Sequence, residues 1–195
     1  MRYYLVSTGG VGSCAVERWA HDKLCKEHLG KRWSAHTRDP LIYTEEGVRV
    51  LYIFGNPYNQ LLSFFRRGFM KAPYLHCQHV GGLVAHLSQE NQWEIGTYLT
   101  ERRECYKLRQ HFEGWWGFKH RQYDIMFIRY ETIPNHINDL REWFGIEERF
   151  EFVPRASDFT KQSEAIQAGL VKMFGDYKEM LDALPDVTIK KVGQV

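Results

Sequence analysis

The chain has 195 residues, 44% of them hydrophobic, and its 26 Lys and Arg against 24 Asp and Glu leave a net charge of +2. That length suits one domain, residues 1–195, with its own core. The near balance of charge excludes a broad basic field of the kind that holds nucleic acid or a membrane surface, so any anion site must be local. Four cysteines (Cys14, Cys25, Cys77 and Cys105) lie far apart with no paired spacing, the pattern of reduced thiols. No signal-peptide pattern or membrane-length apolar run occurs, and a cytoplasmic location is expected.

Residues 3–8 read as a first strand. A turn of Gly9, Gly10, Val11 and Gly12 leads into a predicted helix from Ser13 to about His28. A short strand is expected over 33–37. Residues 48–54 form a β-branched and aromatic run that stops at Gly55-Asn56-Pro57. Asn56 suits a helix N-cap and Pro57 the first helical position, so a helix is predicted over 57–69. Residues 70–88, rich in His and Gly, stay unassigned, and 92–111 has a charged helical pattern. Residues 125–130 read as another buried strand. Ile133, Ile137, Leu140 and Phe144 then keep helical spacing up to Gly145. Ile166, Leu170, Met173, Tyr177, Leu181 and Leu184 form a last apolar stripe, which Pro185 ends. Strands alternating with helices imply an α/β fold with a mainly parallel central sheet flanked by helices.

The glycine turn is the first candidate site. A strand, a glycine turn and a helix start bring backbone N–H groups and the positive end of a helix dipole to one point, which favours an anion. No Lys precedes Lys23, so a Walker A loop is disfavoured. Gly10-Val11-Gly12-Ser13-Cys14-Ala15 satisfies the Gly-x-Gly-x-x-Ala dinucleotide form, but no acid ends the second strand. Arg38 there suits NADP. A plain structural turn is the other reading.

His36 stands at a strand end nineteen residues before Gly55. A neutral imidazole is a suitable base near pH 7, although a lone His is more often a strand cap or a core residue. Phe127-Ile128-Arg129-Tyr130-Glu131 closes a later strand, and Tyr130 is equally readable as a core aromatic. His76-Cys77-Gln78-His79 carries ligand-type side chains without the regular pairing that zinc wants, and no metal is expected. Trp115-Trp116-Gly117-Phe118 reads as core, with an acceptor pocket as the alternative.

Taken in order, these motifs resemble those of the PAPS-dependent sulfotransferases. Asn56, Pro57 and Ser63 match the signature that holds the 3′-phosphate of PAPS, with Gly55 where the family has Arg. Gly12 and Ser13 match its 5′-phosphosulfate loop, with Gly10 where the usual Lys falls. His36 with Pro40 resembles the family's strand-end His, and Arg129-Tyr130-Glu131 its Tyr-Glu segment. The resemblance covers residues 3–146 and implies a P-loop-like three-layer fold.

It also implies roles. Gly9, Gly10, Val11, Gly12, Ser13 and Cys14 hold the phosphosulfate, and His36 acts as the general base. Ser63, helped by Arg66 or Arg67, holds the 3′-phosphate, with Arg18, Arg155 and Lys161 as further cations, and Tyr130 lies near the adenine. The acceptor is a small molecule or glycan bearing a hydroxyl or amine, bound within residues 70–118. A non-catalytic nucleotide-binding module and an NADP-binding Rossmann protein remain open.

Overall fold

The computed structural model describes residues 1–24, 28–67, 94–101, 104–154 and 157–193. Residues 70–88, the His76–His79 cluster, Cys25, Cys77 and Arg155 lie outside them. Five strands form one sheet: β1 (Arg2–Ser7), β2 (Leu29–Ala35), β3 (Val48–Phe54), β4 (Asp124–Arg129) and β5 (Val187–Lys190), in the order β2-β1-β3-β4-β5. The first four are parallel, and β5 runs antiparallel along β4. Among the described residues six α-helices accompany them: α1 (Ser13–Lys23), α2 (Pro57–Arg66), α3 (Ile95–Glu101), α4 (Leu108–Trp116), α5 (Ile137–Phe144) and α6 (Glu164–Asp182).

The pattern of β3 explains the layering. It pairs in unbroken register with β1 along one edge and β4 along the other, and helices pack on both its faces, so it reads as a continuous apolar run. Val50, Tyr52 and Phe54 face the buried sides of α2, α3, α4 and α6. Leu51 and Ile53, one residue out of phase, face α1 and α5. Tyr52, Phe112, Trp115 and Phe127 are almost fully buried together, and each such side chain contributes roughly 1.5–3 kcal/mol by leaving water. Among the described residues no helix is long and apolar enough to cross a membrane.

Several boundaries differ from the sequence reading. The helix α1 ends at Lys23, because Leu24 turns extended and packs against the core. β2 begins four residues before its predicted start at Trp33 and stops before His36. The pattern over 92–111 is two helices, not one. Lys107 adopts a left-handed conformation (φ 56°) ahead of α4, and buried Cys105 and Tyr106 enter the core between the helices. Their burial outweighs continuing a solvated helix. A 3-10 turn, Tyr130–His136, precedes α5, because Pro134 has no N–H to give an α-helix. Gly145 closes α5 in the left-handed region (φ 67°), as a C-terminal glycine does. The four-residue edge strand β5 was not expected, although Val187, Thr188 and Ile189 are β-branched.

Candidate functional site

The strand order decides where a ligand fits. From β1 the chain moves outward to β2, then crosses back over β1 to reach β3. The crevice beyond the carboxyl ends of β1 and β3 is therefore a topological switch point, where α/β folds bind ligands. The glycine turn follows β1 and Gly55-Asn56 follows β3, so both candidate motifs border it.

The turn is built on glycine for steric reasons. Gly9, Gly10 and Gly12 have φ of 84°, 72° and 65°, where L-residues with a Cβ are strained. A Cβ on Gly12 would stand 2.3 Å from the Tyr130 ring, and one on Gly10 would stand 3.0 Å from Phe64. Buried Gln60 on α2 ties the turn down by donating to Thr8 Oγ1 and to the Gly9 carbonyl. The Gly9 N–H donates to Ser7 Oγ at 3.1 Å. Left-handed Gly12 then opens α1, and no side chain caps the N–H groups of its first turn.

A cleft of about 310 Å³ opens there. Gly10, Gly12, Cys14 and Arg18 line one wall; Ser63, Arg66 and Arg67 on α2 line the other; Tyr130 and Phe152 close it. Three guanidinium groups against the single carboxylate of Glu151 make it locally cationic. Ser63 is 4% exposed yet lines the cleft. Tyr130 is buried edge-on to Phe152 (centroids 5.6 Å apart) and also lines the cleft.

Not every predicted residue is there. Val11 and Ser13 point into the protein, and Gly9 is engaged with Ser7 and Gln60. Lys161 is exposed and paired with Asp158. Arg129 clamps the end of α6 instead, donating to Asp186 Oδ1 (2.8 Å) and to the carbonyls of Leu181 and Leu184.

Gly55 has a definite neighbour. A Cβ there would stand 3.1 Å from both carboxylate oxygens of Glu131. Glu131 Oε1 accepts the Asn56 N–H at 2.8 Å at the head of α2, while Oε2 is buried without a partner. Burial raises its carboxyl pKa, and the Asn56 N–H opposes that rise. A small pocket of about 90 Å³ beside the cleft is lined by Asn56, Glu131, Pro154 and Ser157.

His36 does not line the cleft. It sits just beyond β2, and its Nδ1–H donates to the Ser7 carbonyl at 2.7 Å. A carbonyl only accepts, so the lone pair of neutral His36 lies on Nε2. Ser7 thus joins the two parts of the site, holding Gly9 through its hydroxyl and His36 through its carbonyl.

Sequence reasoning missed the supports of this arrangement: Gln60, Tyr52 and His111. Leu108, His111, Phe112 and Trp115 keep i, i+3, i+4, i+7 spacing, so a polar ring on a buried helix face was a signal within reach. His111 bonds the Tyr52 hydroxyl and the His36 carbonyl. Among the described residues no group of metal-ligating side chains forms. The chain matches no protein-family model, no curated protein and no solved structure.

Proposed function

We propose that this chain is a sulfotransferase of P-loop-like fold that moves a sulfuryl group from PAPS to a hydroxyl or amine acceptor, a small molecule or a glycan. The observation that carries the reading is the meeting of the glycine turn with Ser63, Arg66 and Arg67 across one cationic cleft. A donor with phosphate at both its 5′ and 3′ positions needs cations and N–H groups on two walls, and the cleft offers them.

On this reading the 5′-phosphosulfate rests on the turn and the first N–H groups of α1. Ser63, Arg66 and Arg67 take the 3′-phosphate, and Arg18 supplies charge that the absent loop Lys does not. Arg66 and Arg67 stand in for the Arg missing at position 55, where Glu131 repels a phosphate. The acceptor oxygen or nitrogen attacks sulfur in line, the bond from sulfur to the phosphate oxygen breaks, and the acceptor proton passes to His36 Nε2. Adenosine 3′,5′-bisphosphate leaves. Donors aimed at charge developing on the bridging oxygen are where such a site gains rate.

A second reading has its own support. The carboxylate beside Gly55 and the place of His36 outside the cleft suit a nucleotide-binding module that performs no transfer. Calorimetric titration with adenosine 3′,5′-bisphosphate, with NADP as control, tests the common premise. Micromolar binding of the bisphosphate alone supports the donor site; no binding overturns it, and NADP binding alone points to a dinucleotide protein. Loss of sulfuryl transfer in His36→Ala, with bisphosphate affinity kept, separates the enzyme from the module.

A further inference from the structure

The geometry points to His111 as a positioning residue for His36, acting through a buried chain of hydrogen bonds that runs from Tyr52 on β3 through the His111 ring to the His36 backbone. The inference rests on the reading of His36 as the base.

His111 is fully buried. Its Nε2 lies 3.3 Å from the His36 carbonyl, and its Nδ1 lies 2.8 Å from the Tyr52 hydroxyl. The carbonyl can only accept, so Nε2 carries the proton; Nδ1 then accepts from the Tyr52 O–H. Both nitrogens are satisfied by one tautomer. Burial holds the His111 pKa down to about 4, so the ring stays neutral near pH 7 and keeps this donor–acceptor order.

One turn further along α4, the Trp115 Nε1–H donates to the Thr37 carbonyl at 2.9 Å. Two successive carbonyls, those of His36 and Thr37, are therefore held by one face of one helix. The peptide between them cannot turn without giving up one of these part-buried hydrogen bonds. With that backbone held, the His36 ring reaches the Ser7 carbonyl and takes the Nδ1–H tautomer. A base needs its lone pair on a defined nitrogen, and second-layer hydrogen bonds commonly set this for histidine.

Two isosteres separate the bonds. In His111→Gln the amide nitrogen falls near Nε2, so the donor to the His36 carbonyl is kept. In His111→Asn the amide lies near Nδ1, so the bond to Tyr52 is kept and the donor to His36 is lost. Long-range proton–nitrogen NMR of the imidazoles reports the His36 tautomer, and calorimetry reports the affinity for adenosine 3′,5′-bisphosphate. The expected result is a single Nδ1–H tautomer of His36 in the wild type and in His111→Gln, and a mixture in His111→Asn. Turnover of PAPS is expected to fall about 10- to 100-fold in the Asn variant only, with bisphosphate affinity unchanged in both. Tyr52→Phe leaves the Nε2–H bond to the His36 carbonyl in place, so a single His36 tautomer is expected there too.

An unchanged single His36 tautomer in His111→Asn overturns the positioning role, whatever the activity. Should the wild type show no sulfuryl transfer, the functional reading fails, and the tautomer measurement still decides this one.

Discussion

The cleft and the His36 shelf are built on opposite plans. The cleft is assembled from two strand–turn–helix junctions, each local in sequence, and its chemistry comes from backbone N–H groups and the arginines beside them. The shelf joins residues 29 to 78 positions apart, through Ser7–His36, Tyr52–His111, His36–His111 and Thr37–Trp115. The fold around the cleft therefore tolerates changed wall side chains but not a changed turn. The shelf tolerates neither a lost partner nor a charged one at its buried Tyr52–His111 pair.

Gly12→Ala should break the cleft most severely. The new Cβ meets the Tyr130 ring at 2.3 Å in a left-handed backbone, so about 3 kcal/mol of stability and the bisphosphate site should go together. Gly145→Ala is the matched control: φ is 67° but nothing lies within 4 Å, and a loss of about 1–2 kcal/mol is expected in chemical denaturation, with binding intact. Equal losses in the two would mean that Tyr130 yields and the turn is not locked.

The shelf is sharpened by pH. Burial lifts the Glu104 carboxyl, which accepts N–H groups at the head of α4, to about 7, while burial lowers His111 to about 4. Glu104 has a raised folded pKa, so its contribution is fully present below about 4.5 and lost as pH rises to about 7. His111 has a depressed one, so its contribution is present above 6.5 and lost as pH falls to about 4. Each window spans about 2.5 pH units, about 3 kcal/mol at most. The two slopes oppose each other between pH 4.5 and 6.5. Relative to wild type, Glu104→Gln should gain stability as pH rises through its window, and His111→Gln should lose it. Parallel pH curves for wild type and both variants would show that neither group titrates in the folded state as its burial requires.

The smallest effects belong to the cleft walls. Ser63→Ala, Arg66→Ala and Arg67→Ala should each weaken bisphosphate binding about tenfold, which is about 1.4 kcal/mol, and leave the melting temperature nearly unchanged. Lys161→Ala, outside the cleft, should change neither. A wall variant that melts early but binds normally would place that residue in the packing instead.

Much of the frame was legible from residues 1–67. The β3 run followed by Asn56 and Pro57 is one strand and one capped helix, with Asn56 Oδ1 accepting the Tyr58 N–H as its cap. Four strands, the glycine turn and the last apolar stripe stand where periodicity put them, within a few residues. The mistaken single helix over 92–111 shows the limit. Its charges resembled a solvated face, yet Cys105 and Tyr106 are pulled into the core, at the cost of a left-handed Lys107.

Short-range sterics and periodicity made three things legible in the chain: glycine where φ is positive, a cap where a helix starts, and a continuous apolar run where both faces of a strand are buried. Only the tertiary structure decided which side chains share the cleft. It brought Ser63 and Arg66 to Gly12, sent Arg129 to Asp186, and set Glu131 against Gly55. It also decided the state of His36. A tautomer depends on which carbonyl stands 2.7 Å from which nitrogen, and that carbonyl belongs to a residue 29 positions away.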